Sequence, residues 1–203
     1  MRIAIIDSGV HADHPHVRGV AGGIALHDDG SESADYTDRL GHGTAVTAVI
    51  RALAPQADLY AVRVFHDRLA TNIETLVRAI DWSIANGMDM INLSLGTAKP
   101  EHEPVMRAAV ERARARNVTI VAAKEADGVR WLPGSLPGVI PVMLDWYCPW
   151  EECREREGVY YACGYPRPIP GVPVEKNLRG ISFAVAHVTG TLARSDQLPE
   201  SSS

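Results

Sequence analysis

The stretch TNIETLVRAIDWSIANGMDMINLSLG, residues 71–96, decides the fold because a helix pattern in it leads directly into a strand pattern. Apolar residues recur every three or four positions over 73–84, which is the period of an amphipathic helix. Thr71–Glu74 has the spacing of a capping box, and Asn86-Gly87 is a typical helix end. The apolar residues 88–96 that follow predict a buried strand.

The same alternation of helices and strands runs through the first two-thirds of the chain. Expected strands cover residues 2–6, 58–65, 88–96, 118–123 and 138–144, and expected helices cover 44–53, 73–84 and 104–116. Strands separated by helices of this length imply a mostly parallel sheet with helices on both faces. The predicted fold class is therefore α/β, doubly wound.

The alternation breaks at residues 145–177, which are rich in proline, aromatic residues and cysteine. We expect a large loop or an irregular hairpin there rather than a second domain. The chain is expected to form one domain over 1–194, followed by a disordered tail at 195–203. Three cysteines lie in this region and match no standard zinc spacing, so we expect free thiols at Cys148, Cys153 and Cys163.

Composition narrows the function classes. The 203 residues are 46% hydrophobic and 22% charged, as in an ordinary globular protein. Apolar runs fall short of the roughly 18 residues that a membrane span requires, and the net charge of −5 gives no sign of a nucleic-acid partner. The chain begins in a strand pattern without a targeting segment, so we expect a cytoplasmic location.

Three residues of the types that acyl transfer needs lie where predicted elements begin or end. Asp7 follows the first strand, His42 lies between two glycines before a helix, and Ser182 begins an apolar segment. A serine hydroxyl is a weak nucleophile unless an imidazole accepts its proton, and a carboxylate fixes the imidazole tautomer. Each residue also has an ordinary alternative: a helix cap for Ser182, a turn for Asp7 and a surface position for His42.

Four segments resemble the signature segments of the subtilisin-like serine proteases, in that family's order. They are IAIIDSGV (3–10), GHGTAV (41–46), INLSLG (91–96) and GISFAVAHVTG (180–190). The resemblance covers roughly residues 1–144 and 178–194 and implies the subtilisin-like fold without its C-terminal helices. It also implies that Asp7 orients His42, that His42 is the general base and that Ser182 is the nucleophile, in the order known for subtilisin.

The resemblance also implies a substrate-binding segment. Ser94-Leu95-Gly96 is similar to the family segment whose backbone pairs with an extended substrate and whose far side borders the P1 pocket. A glycine there admits close backbone approach, although an ordinary strand end is the alternative. Glu125 would lie near the same pocket and favour a basic P1 residue, with a solvated loop position as its alternative.

The position of the second oxyanion donor departs from the family pattern. Ala126 falls where the family has the asparagine whose amide is the second oxyanion donor, which leaves the Ser182 backbone N–H as the assigned donor. Lys124 and Asn177 are the candidate replacements. In subtilisin itself, loss of that amide lowers kcat by about 10²–10³-fold.

The sequence therefore predicts a serine endopeptidase that cleaves an extended peptide through an acyl-enzyme, with a narrow role such as peptide maturation. The alternative is a weak or inactive module that binds a peptide, with a partner protein covering the truncated C-terminal side. We expect no metal or other cofactor. In particular, we expect no bound calcium, because the loop before LAPQADL (53–59) that helps bind calcium in many relatives is missing.

Overall fold

The computed structural model describes residues 1–195. The strands are β1 (Arg2–Asp7), β2 (Gly22–Leu26), β3 (Glu32–Ser33), β4 (Asp58–Arg63), β5 (Met90–Leu93), β6 (Thr119–Ala123), β7 (Glu125–Ala126), β8 (Val129–Arg130), β9 (Val139–Leu144), β10 (Cys153–Arg156) and β11 (Val159–Ala162). The helices are α1 (His42–Leu53), α2 (Ile73–Ala85), α3 (Glu103–Ala115) and α4 (Ile181–Ser195), with single 3₁₀ turns at Pro100–His102 and Val174–Lys176.

Nine of these strands form one sheet in the order β10-β11-β9-β6-β5-β1-β4-β2-β3. The seven strands from β11 to β2 in this order are parallel to one another. The two edge strands are antiparallel to the strands they pair with, β10 with β11 and β3 with β2. The remaining two, β7 and β8, form a separate small hairpin. The prediction of a mostly parallel α/β fold is confirmed.

The helices cover both faces of this sheet. Apolar side chains of α2 and α3 pack into one core, and those of α1 and α4 pack into the other. Gly190 lets α1 and α4 approach closely, because a Cβ atom there would lie 2.8 Å from the Cβ atom of Leu53. Among the four helices described, none is both long and apolar enough to cross a membrane.

The start of α2 differs from the predicted capping box. Asn72 is the N-cap, and its side chain accepts a hydrogen bond of 2.7 Å from the backbone N–H of Thr75. The hydroxyl of Thr71 instead donates to the carboxylate of Asp28 over 2.8 Å. The prediction of Thr71 as the cap is therefore wrong, because a distant carboxylate competes for its hydroxyl.

Several element limits also differ from the expectations. The strands expected over 58–65 and 88–96 are shorter, so Ser94-Leu95-Gly96 follows β5 instead of belonging to it. Strands β2 and β3 were not predicted. Within 145–177, β10 and β11 form a hairpin that extends the sheet through β9. Ser195 ends α4, and the rest of the expected tail, 196–203, lies outside the described residues.

A buried polar link ties α4 to the centre of the sheet. Asn92 in β5 is fully buried, and its side-chain oxygen accepts a hydrogen bond of 3.0 Å from the hydroxyl of Thr189 in α4. Its amide donates over 2.7 Å to the hydroxyl of Ser94. Asn92 thereby sets α4, which carries Ser182, against the segment that follows β5.

We expect Thr189→Val to lower the free energy of unfolding by about 1–3 kcal/mol, because the buried Asn92 oxygen loses its donor while the side-chain volume is kept. Thr191→Val is the matched control. The Thr191 hydroxyl is also buried, and it interacts with the thiol of Cys153, a weak hydrogen-bonding group, so its loss is expected to cost less, at most about 1 kcal/mol. Urea denaturation of both variants measures the difference, and equal destabilisation contradicts the role given to Asn92.

Candidate active site

A short hydrogen bond joins the end of β1 to the start of α1. Asp7 is the last residue of β1 and is fully buried, and His42 is the first residue of α1. The carboxylate Oδ1 of Asp7 accepts from Nδ1 of His42 over 2.7 Å and from the backbone N–H of Ser8 over 2.7 Å. With its proton held on Nδ1, the neutral imidazole presents Nε2 as its basic nitrogen.

Burial and charge act in opposite directions on His42, whose side chain is 14% exposed. Burial lowers the pKa of His42, but the hydrogen bond and negative charge of Asp7, together with the charge of Asp38, outweigh burial and raise that pKa above the ordinary histidine value. The site is therefore built to stabilise a protonated imidazole, as a general base requires after it accepts a proton.

A second carboxylate, that of Asp38, organises the loop before His42. Asp38 is 3% exposed, and its Oδ1 accepts from the hydroxyl of Ser8 and from the backbone N–H groups of Leu40 and Gly41, each over 2.9 Å. Its Oδ2 accepts from the backbone N–H of Thr44 over 2.8 Å and from the Thr44 hydroxyl over 2.6 Å. Burial alone would raise the pKa of Asp38. The hydrogen bonds lower it by more, so its pKa lies below the ordinary aspartate value and the carboxylate stays ionised.

Ser8, which donates to Asp38, also forms a hydrogen bond with the first turn of α1. The hydroxyl of Ser8 accepts a hydrogen bond of 2.9 Å from the backbone N–H of Gly43. A Cβ atom at Gly43 would overlap the carbonyl oxygen of Gly9 and lie 3.2 Å from the Asp7 side chain. The small residue after His42 therefore lets the first turn of α1 approach Asp7.

Ser182 is the second residue of α4, at the end of that helix where backbone N–H groups lack helical partners. Its hydroxyl donates a hydrogen bond of 3.1 Å to the backbone carbonyl of Ser94. Within the described residues, no hydrogen bond joins this hydroxyl to His42. The structure thus places the serine hydroxyl on the predicted substrate-binding segment.

One cleft of about 620 Å³ brings most of the predicted residues together. His42, Ser182 and the segment Ser94-Leu95-Gly96 all line it. Much of the remaining wall is apolar and comes from the region around the start of α2. These apolar lining residues include Phe65, Leu69, Ile73 and Leu76.

The other predicted residues lie outside the lining of this cleft. Glu125 and Ala126 form β7, whose partner is β8, and the last residue of β6 to line the cleft is Ala123. The side-chain amide of Asn177 donates to the carbonyl of Arg167 over 3.2 Å. Lys124 is also absent from the lining. The structure therefore brings none of the candidate second oxyanion donors, and not Glu125, to the cleft.

Trp131 lines the cleft and was not predicted as a site residue. An antiparallel bridge between Thr97 and Leu132 holds its segment against the one that contains Gly96. A Cβ atom at Gly96 would lie 3.2 Å from the indole ring of Trp131. The irregular segment between β8 and β9 gave no periodic signal from which this position follows.

The three cysteines are free thiols. Burial is the main cause that raises the pKa of Cys148, of Cys153 and of Cys163. A thiol with a raised pKa carries little thiolate at neutral pH, and thiolate is the nucleophilic form. These cysteines therefore have a structural environment and not that of a reactive nucleophile.

Comparison with known proteins agrees with this architecture. A family model for the subtilase family (peptidase S8) matches residues 1–128. The chain therefore belongs to the subtilase family, the subtilisin-like serine proteases.

Individual relatives match over different lengths. The chain is similar to subtilisin E of Bacillus subtilis (strain 168), at 29% identity over 95% of this chain and 54% of that protein. It is also similar to a thermostable alkaline protease of Halalkalibacterium halodurans, at 31% identity over 95% of this chain and 55% of that protein. A 36% identical match to the minor extracellular protease Epr of B. subtilis covers 63% of this chain and 20% of Epr. The chain thus spans about half, or less, of the length of these relatives.

Two solved structures share the fold. One is the prenylagaramide maturation protease PagA, with a TM-score of 0.71 and 26% identity over 96% of this chain and 74% of that chain. The other is a cold adapted subtilisin-like serine proteinase, with a TM-score of 0.71 and 22% identity over 97% of this chain and 75% of that chain. The second likeness concerns the fold alone.

We expect Asp38→Asn to lower the pKa of His42, because the substitution removes a negative charge that favours the imidazolium. It is also expected to cost at least about 1.5–3 kcal/mol of unfolding free energy, the contribution of one hydrogen bond to a charged group. NMR titration of the His42 ring and urea denaturation measure the two effects.

Asp35→Asn is the control for Asp38→Asn, because it removes the same charge from a half-exposed carboxylate on the same loop. It is expected to change stability by no more than about 1 kcal/mol. If the two variants shift the His42 titration equally, Asp38 has no special part in the site.

Proposed function

We propose that this chain is a serine endopeptidase in which Asp7, His42 and Ser182 act as a catalytic triad. The observation that carries this proposal is the 2.7 Å hydrogen bond from His42 to the buried Asp7, at the edge of a cleft that Ser182 also lines. Membership of the subtilase family supports the same chemistry. The substrate is an extended peptide or protein segment bound along Ser94-Leu95-Gly96.

In the proposed reaction, the Ser182 oxygen attacks the carbonyl carbon of the scissile peptide bond while Nε2 of His42 accepts the hydroxyl proton. Asp7 stabilises the resulting imidazolium through Nδ1–H. The imidazolium then donates its proton to the leaving amine, and an acyl-Ser182 ester remains. Water, deprotonated by His42, then attacks this ester. The bond between the acyl carbon and the Ser182 oxygen breaks, His42 returns the proton to that oxygen, and the carboxylic acid product is released.

The hydrogen bond from Ser182 to the Ser94 carbonyl gives substrate binding a second role. A peptide that pairs with this segment offers a backbone N–H to the same carbonyl. The N–H then replaces the serine hydroxyl, which turns about its Cα–Cβ bond to donate to His42. Catalytic hydrogen bonds that are absent without substrate and form with it are common in enzymes.

The oxyanion that forms in the first step would be stabilised by the backbone N–H of Ser182, at the positive end of α4. Ala126 has no donor group in its side chain and lies outside the cleft lining. We therefore propose slow turnover, which suits a narrow task such as maturation of one peptide. The likeness to PagA, described as a maturation protease, supports this role. That the peptide is met in the cytoplasm stays a prediction.

Trp131 restricts which substrates fit. Its indole ring lies beside Gly96 and lines the cleft, and we place the P1 pocket on this side of the substrate-binding segment. A bulky ring in that position leaves room for a small P1 side chain. We therefore propose small residues, and not basic ones, at P1.

A second candidate function is peptide binding without hydrolysis. Two observations favour it: the Ser182 hydroxyl contacts Ser94 and not His42, and Ala126, which stands at the family's asparagine position, lies outside the cleft lining. The segment after β5 would still pair with a peptide through its backbone. The two candidates differ in whether Ser182 becomes a nucleophile.

We expect a fluorophosphonate probe to label Ser182, with the serine oxygen bonding to phosphorus as fluoride leaves. Mass spectrometry of the adduct identifies the residue. The labelling rate is expected to rise with pH, with a midpoint above the ordinary histidine value of about 6.5, because only neutral His42 accepts the proton.

His42→Ala is expected to slow this labelling by at least about 10³-fold, whereas His14→Ala, an exposed histidine outside the cleft, leaves it unchanged. A folded wild-type protein that binds peptides but stays unlabelled supports the binding module. Labelling that survives His42→Ala contradicts the triad.

We expect Trp131→Ala to raise kcat/KM for a peptide with Phe at P1, relative to Ala at P1, by about tenfold or more. The physical reason is the space that the indole vacates beside Gly96. Competing peptide pairs followed by mass spectrometry measure this ratio. Trp146→Ala, which removes a half-exposed indole outside the cleft, is the control, and a ratio unchanged by Trp131→Ala rejects the specificity role.

A further inference from the structure

A second cavity, of about 780 Å³, lies at the opposite ends of α1 and α4 from His42 and Ser182. It shares no lining residue with the catalytic cleft. Since α1 has 12 residues, the two cavities are separated by about 18 Å of helix. The charged and titratable residues of its lining are His16, Arg18, Arg51, Glu151, Arg167 and Arg194.

The charges in this cavity do not balance. Four arginines and one carboxylate leave an excess of three positive charges. Within residues 1–195, none of the four guanidinium groups forms an ion pair with a carboxylate, although seven other arginines of the chain do. Guanidinium groups that line one cavity repel one another, and an anion bound among them would offset that repulsion.

Arg51 has a structural role as well as a charge. Its guanidinium donates to the carbonyl oxygens of Val17, Gly19, Pro55 and Ala57, over 2.8–3.1 Å. Those bonds use four of its five N–H donors and hold the loop before β2 against the end of α1. Arg51 therefore supplies a fixed positive charge, while the guanidinium groups of the other three arginines donate to no other residue within the described range 1–195.

The helix ends explain only part of this cluster. Arg51 and Arg194 lie in the last turns of α1 and α4, where partial negative charge favours a cation. Arg18 and Arg167 come from loops and lie at neither helix end. Their approach to the same cavity needs another explanation.

His16 shows that these loop arginines share one space. Burial lowers the pKa of His16, and the positive charges of Arg167, His14 and Arg18 lower it further. His16 is consequently neutral at physiological pH and presents a polar ring without adding to the charge. Trp150 and Pro168 supply apolar surface beside it.

We propose that this cavity binds a phosphorylated small molecule that carries two or more phosphoryl groups. Guanidinium groups match phosphate oxygens in paired hydrogen bonds, and each phosphate monoester carries nearly two negative charges. Two phosphoryl groups therefore offset the excess of three positive charges. The volume exceeds that of a lone phosphate ion and suits an organic ligand, whose apolar part would contact Trp150.

Isothermal titration calorimetry of the full chain tests this proposal, with sodium triphosphate, pyrophosphate and phosphate at constant ionic strength. We expect affinity to increase with the number of phosphoryl groups, and we expect tricarballylate, a tricarboxylate, to bind more weakly than triphosphate. No triphosphate binding, or equal affinity for the tricarboxylate, overturns the proposal. Binding is measured without proteolysis, so this outcome is independent of the proposed peptidase activity.

Matched variants locate the site. Arg167→Gln is expected to weaken triphosphate binding by about tenfold or more, because one charged hydrogen-bonding group is lost. Glu151→Gln is expected to strengthen it, because the substitution removes the one carboxylate that the described residues contribute to the lining. Arg116→Gln makes the same charge change beside α3 on the other face of the sheet, and is expected to leave the affinity within twofold. Equal weakening by Arg167→Gln and Arg116→Gln shows unspecific attraction and overturns the proposal.

Discussion

The hydrogen bond between Asp7 and His42 is the interaction on which the candidate site depends. It is short, at 2.7 Å, and its acceptor is a carboxylate that the fold buries completely. A buried charge is unfavourable unless charged or hydrogen-bonding groups compensate for it. Here the compensation comes from His42 and from the backbone N–H of Ser8, which both donate to Oδ1 of Asp7. The imidazole is thereby held in one tautomer before any substrate arrives.

The packing of α1 and α4 on one face of the sheet converts this local bond into a site. Both helices begin beside the catalytic cleft, so the two side chains separated by 140 positions in the chain line one cavity. Asn92 stabilises this arrangement because it accepts a hydrogen bond from Thr189 of α4 and donates one to Ser94. The same two helices end at the arginine-lined cavity. A ligand there would contact both helices far from their catalytic ends.

Much of the fold could be predicted because its signals are local and strong. Helical periodicity identified α2 and α3 within one or two residues, and the alternation of elements led to the parallel sheet. Strand β2 was not predicted because Gly22 and Gly23 give no strand signal. Its position in the sheet depends on pairing with β4. The spacing of Thr71 and Glu74 predicts Thr71 as the cap of α2. Nothing in the sequence indicates that its hydroxyl instead donates to Asp28, because Asp28 is 43 positions away. Contacts of that range are invisible to a reading of neighbouring residues.

The candidate site divides in the same way. Asp7, His42 and Ser182 lie in segments that resemble those of one family in the family's order, and this resemblance was sufficient to choose them. Trp131 lies in an irregular segment, and its approach to Gly96 depends on a bridge between Thr97 and Leu132. The hydrogen bond from Ser182 to Ser94 depends on the rotamer of the serine side chain, which no sequence pattern encodes. The resting geometry and the proposed specificity therefore required the structure, whereas the choice of the candidate triad did not.

A crystal structure of the chain with a bound peptide whose scissile bond is a reduced CH₂–NH isostere tests whether Ser182 and His42 form a proton relay. We expect a peptide N–H to donate to the Ser94 carbonyl and the Ser182 oxygen to lie about 2.6–3.2 Å from Nε2 of His42. A bound peptide with the serine hydroxyl still on the Ser94 carbonyl, and His42 beyond its reach, would contradict a proton relay in this cleft.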